Sequence, residues 1–116
     1  MIPKEIVSKI LWSTIEDFVG LWEIQWELNS LQNDYNKNNT AKVILTYLLN
    51  EGLVSFYFSY WGKEKVTEIS KDEVLKLLAN KKNWDPPLIN ERCIKVGSTE
   101  RGEEYYNDDK INDIIL

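Results

Sequence analysis

The chain has no histidine. This removes the side chain best suited to moving protons near neutral pH, and with it Ser-His-Asp and Cys-His nucleophile pairs and zinc sites of the Cys/His type. Cys93 is the single cysteine, so no intrachain disulfide can form, which argues against an oxidising compartment. The five glycines stand at 20, 52, 62, 97 and 102, in neither the dinucleotide-binding nor the Walker spacing that cradles phosphate. No apolar run approaches about 18 residues, and Met1-Ile2-Pro3-Lys4-Glu5 has no basic leader segment. Asp108, Asp109, Asn112 and Asp113 miss the spacing, the glycine and the closing glutamate of an EF-hand. The expectation is a cytoplasmic protein with no membrane segment, no cofactor and no metal, and not an enzyme.

What is present is enough for one core. At 116 residues the chain has the size of a single domain. Five Trp, six Tyr and three Phe can each bury roughly 150–250 Å². The division expected is one α+β domain over 1–107 and an acidic tail over 108–116.

Local patterns order the elements. Ile6, Val7, Ile10 and Leu11 repeat at helical spacing after Pro3. Ser13-Thr14-Ile15-Glu16 has the form of a capping box, followed by a stripe of Ile15, Phe18, Val19, Trp22 and Trp26. Trp22, Ile24, Trp26 and Leu28 also alternate as a strand would, although the cap and the Glu and Gln content favour helix. Residues 29–40 read as an Asn-rich loop. A helix from Ala41 follows, with Val43, Ile44, Tyr47 and Leu48 buried and Gly52 just past its end. Residues 53–61 alternate as a strand, a turn at Gly62-Lys63-Glu64 leads to a second strand over 65–69, and the two form a hairpin. Ser70-Lys71-Asp72-Glu73 is another capping box before a short helix. Asp85-Pro86-Pro87 imposes an extended loop, residues 92–96 form a third strand, and Thr99 caps a last helix over 100–107. The fold class expected is α+β, with helices on a small, mainly antiparallel three-stranded sheet.

Net charge is −5, but residues 1–34 carry two basic and six acidic side chains, residues 35–99 ten and seven, and residues 100–116 two and six. An acidic face built from both chain ends would repel nucleic acid and attract a basic partner. Tyr57, Trp61, Trp84, Tyr105 and Tyr106 are the aromatics that helical stripes explain least, and aromatics are favoured at binding hot spots. Glu100, Glu103, Glu104, Asp108 and Asp109 would give such a site its sign. Cys93, beside Ile94 in a strand, reads as a small buried hydrophobe.

Two resemblances follow from these features. The helix 41–51 ending in Gly52-Leu53-Val54, the hairpin after it and the later Thr99-Glu100-Arg101-Gly102 resemble the second half of a winged-helix domain. That resemblance implies a recognition helix at 41–51 and a wing in the following strands, hence a DNA-binding transcriptional regulator. Lys37 and Lys42, with Asn38 and Asn39, give that helix a thin basic footprint, and a pI near 4.8 is the wrong sign for a DNA-binding domain acting alone. As a small, acidic, aromatic-rich chain without catalytic groups, the protein is also similar in type to the immunity proteins of bacterial toxin systems. That likeness implies a protein-binding module that neutralises a basic nuclease toxin, and it stands first because it uses the observed charge.

Overall fold

Ile6, Val7, Ile10 and Leu11 are buried along one side of helix α1, Lys4–Glu16. The computed structural model describes residues 4–31, 37–60, 65–89 and 91–110. Ser13 lies inside α1 rather than at a helix start. Its hydroxyl is 3.0 Å from the Lys9 carbonyl and 2.9 Å from the Glu27 carboxylate, so it ties α1 to the next helix instead of capping one.

The continuous helix expected across 15–28 is broken. The Asp17 carboxylate accepts from the Phe18 amide at 2.7 Å, Val19 and Gly20 form a two-residue strand β1, and helix α2 starts afresh at Leu21–Leu31. The Glu23 side chain reaches back to the Gly20 amide at 3.2 Å, the reciprocal half of a capping box. Its buried line is Leu21, Ile24 and Leu28, while Phe18 and Trp26 are 41% and 58% exposed. The stripe of Ile15, Phe18, Val19, Trp22 and Trp26 therefore does not form, because the break resets the helical phase.

Helix α3 is Lys37–Asn50, four residues longer at its start than expected, so the polar segment 29–40 is not one loop. Buried Thr40 precedes Ile44 by one turn and carries the buried face upstream. That face is Ala41, Ile44, Leu45 and Leu48, with Val43 turned outward. The end falls where the sequence places it. Gly52 has φ 73°, its amide bonds the Leu49 carbonyl at 3.0 Å, and the Leu53 amide bonds the Leu48 carbonyl at 2.9 Å. This is a Schellman motif, which needs a residue at ease with positive φ.

Strand β2, Val54–Tyr60, pairs antiparallel with β3, Val66–Glu68, and with β4, Arg92–Ser98. Val19 pairs with Val96, so β1 adds a fourth strand to the three expected, in the order β1-β4-β2-β3. A two-residue strand leaves no periodicity to read. Between β3 and β4 lie helix α4, Lys71–Leu78, and a 3-10 helix, Lys81–Trp84. Ser70 occupies the cap position of α4, but its side chain makes no capping bond.

The protein is α+β, with helices packed on one face of an antiparallel sheet. Phe56, Val54, Val96 and Ile94 meet α1, α2 and α3 in one core. No helix among the described residues is long and apolar enough to cross a membrane. Trp61 and the Gly62-Lys63-Glu64 turn lie outside the described residues, as does the part of the acidic tail over 111–116.

Candidate functional site

Eight residues of composition ERGEEYYN have little helical stability of their own, so helix α5, Glu100–Asn107, exists because its surroundings hold it. Thr99 caps it, accepting from the Gly102 amide at 3.1 Å, and the same hydroxyl donates to the Gly52 carbonyl at 2.6 Å. The Thr99 amide bonds the Leu53 carbonyl at 3.0 Å. Tyr105 and Tyr106 are half-buried and anchor the far end against the core. Tyr105 and Glu51 are the polar neighbours of Tyr47 of α3. Burial, then the neighbouring Tyr105 and Glu51, push the Tyr47 phenol up to about 12. Tyr106 stacks on Trp12 of α1, with ring centroids 5.2 Å apart and planes at 30°.

With that side committed to the body, the rest of α5 is exposed and mostly acidic, Arg101 and Asn107 being the exceptions. Glu100, Glu103, Glu104 and Asp108 are exposed at i, i+3, i+4 and i+8 spacing, which places them on one face. Asp109 follows with φ 58°. The ion pair from Lys110 to Asp108, 4.0 Å and exposed, contributes little. Glu100, Glu103 and Glu104 make no salt bridge among the described residues. Beside this ridge, Trp12, Tyr106 and Asp109 line a groove between α1 and α5 of about 410 Å³, whose α1 side also carries Lys4, Glu5, Ser8 and Lys9. Trp12 is 43% exposed there.

The second face of the sheet carries a separate aromatic group. Tyr57, on the face opposite Phe56, meets Phe18 with centroids 5.0 Å apart, and the Phe18 ring occupies the space above Gly97. Trp22 lies over Gly20 and is buried outside the main core. Ser59 and its register partner Cys93 lie on this face too, 1% and 8% exposed. The Ser59 hydroxyl has no hydrogen-bond partner among the described residues. Burial pushes the Cys93 thiol above 9.0, against the pull of Lys95.

The structure thus brings together Glu100, Glu103, Glu104, Tyr105, Tyr106, Asp108 and Asp109 on or beside one helix. It puts Tyr57 elsewhere, because α5 docks into the helix layer and Tyr57 projects from the opposite sheet face. Trp84 is a correction. It is 6% exposed in the core, and its indole N–H donates to the Leu78 carbonyl at 3.1 Å, since the 3-10 turn folds it back under α4. Trp12 is not singled out in the sequence, and Phe18 is read there only as part of a helical stripe. Trp12 carried a signal: it falls one position off the Ile6, Val7, Ile10, Leu11 stripe. No protein-family model, curated protein or solved structure matches the chain.

Proposed function

We propose that this protein is a non-enzymatic protein-binding module that captures a basic partner at the α5 end. The observation that carries the reading is the division of α5. Its small and aromatic residues are spent on attachment, and Glu100, Glu103, Glu104 and Asp108 are left exposed on one face without salt bridges to the described residues except for the Lys110 contact. An acidic ridge of this kind steers a positively charged partner and rejects like-charged ones. The Trp12–Tyr106 stack and its groove add the aromatic anchor from which a complex draws its residence time. The likeness in type to immunity proteins makes a basic nuclease toxin the partner class to try first.

The test is kinetic capture of a basic nuclease domain and, separately, of an Arg/Lys-rich peptide by the immobilised protein. Binding should be fast and should weaken with salt, and an acidic peptide should not bind. Failure of both basic probes at low ionic strength, or equal capture of the acidic one, would sink the reading.

A further inference from the structure

The ends of the β2–β4 ladder differ in sign. At one end Val54 pairs with Ser98, and α5 with its carboxylates begins directly after. At the other end, six residues and about 20 Å away, Tyr60 pairs with Arg92. On the face that further along forms the core, the helices cover Val54, Phe56, Ile94 and Val96 but leave the Phe58–Tyr60 half open. There Phe58, Tyr60, Lys65, Thr67 and Arg92, on or beside three adjacent strands, line a cleft of about 420 Å³ with no carboxylate among the described residues of its wall. The Arg92 guanidinium sits 4.2 Å above the Phe58 ring centroid, and Tyr60 is 46% exposed. A smaller cavity of about 180 Å³ behind Phe58 and Arg92 adds Lys82, but with Asp85 and Glu91, so the positive field stops there.

We propose that this cleft binds single-stranded nucleic acid over one or two nucleotides, with a base stacked on Tyr60 and the flanking phosphates at Lys65 and Arg92. Three features select this occupant. An exposed ring on a sheet face offers a base its flat side, which a duplex keeps stacked away. A guanidinium held over a neighbouring ring is presented in a fixed direction, suited to phosphate. The exposed Tyr60, Lys65, Thr67 and Arg92 form a shelf over which a strand can run. The expectation that nucleic acid is repelled averages over the whole chain, whereas the excess of base in residues 35–99 contributes both cations of this cleft. The inference does not rest on the basic-partner reading, which concerns the opposite end of the ladder.

The experiment is fluorescence anisotropy of labelled uridine and thymidine decamers with the full chain, where non-specific affinities lie at about 10⁻⁴–10⁻⁶ M. Two phosphate contacts on a single strand give a salt slope of about −1.4, or about sevenfold weaker binding from about 50 to about 200 mM salt. Tyr60→Ala should weaken binding about fivefold or more by loss of stacking. Arg92→Gln and Lys65→Gln should each reduce the slope by about 0.7. Lys76→Gln, the same charge change on α4, should leave binding as it was, and unfolding temperatures establish that each variant is folded. No binding of either decamer at low salt overturns the proposal, as does a folded Tyr60→Ala protein that binds like the parent. Equal affinity for uridine monophosphate or for a poly-glutamate peptide also overturns it, the first pointing to a mononucleotide pocket and the second to an acidic-peptide surface. Capture of basic probes by the α5 ridge is read with different ligands and different variants, so either idea can fail alone.

Discussion

Gly102 lies so close against the backbone carbonyl of Leu53 that a Cβ at this position has no room. The contact joins the first turn of α5 to the chain leaving α3, and backbone cannot swing aside as a side chain tip can. Gly102→Ala should therefore displace α5 and destabilise the protein by about 1–3 kcal/mol, the usual range for overpacking. Thermal unfolding measures it. An unchanged midpoint with unchanged near-UV dichroism would show that the helix is not seated this way.

Trp12→Ala removes a half-exposed ring from the α1–α5 groove. If the ring anchors a basic partner, the complex should weaken by about 2 kcal/mol or more, roughly 30-fold, mostly as a faster off-rate. The double variant Glu103→Gln, Glu104→Gln should instead slow association and flatten its salt dependence. Surface-plasmon kinetics separate the two effects, and identical rates in all three proteins would count against the α5 end as the site.

Ser59→Ala should stabilise the fold by about 1 kcal/mol. The hydroxyl is buried without a partner among the described residues, and such a group contributes its desolvation cost and no bond. Denaturant unfolding is the measurement, and a loss of more than about 1 kcal/mol would mean that the hydroxyl is bonded after all.

Cys93 should react slowly in the native protein. It is buried, and burial raises its thiol pKa, which leaves little thiolate to attack a reagent. Labelling with a thiol-specific reagent should accelerate sharply on adding denaturant. Native-state labelling at the rate of a free thiol would contradict the burial.

Stability should fall in strong alkali through Tyr47. Its phenol is raised from 10.0 to about 12, so the folded state favours the neutral form. That contribution is complete below pH 10 and is lost as pH rises towards 12. Tyr47→Phe should flatten the unfolding temperature between these values. A parallel decline in both proteins would assign the alkaline loss to other groups.

The sequence by itself determined the elements whose causes lie within a few residues. Gly52 at positive φ ends α3, Thr99 caps α5, Pro86 and Pro87 separate the 3-10 helix from β4, and alternation marks β2. It also held the uneven charge of the three chain segments. Tertiary structure decided what local patterns leave balanced or silent. The segment around Trp22 fits either helix or strand by its spacing, and the pairing of Val19 with Val96 settled it by breaking the helix at Gly20. Trp84 reads as a surface aromatic until the Leu78 carbonyl takes its indole proton in the core. The acidic α5 and the Arg92 cation came to opposite ends of one ladder only when β4 ran antiparallel beside β2, setting Arg92 next to Tyr60 and sending α5 off beyond Ser98. A chain encodes its turns and caps through short-range hydrogen bonds and sterics, whereas its surfaces depend on which distant segments share a core.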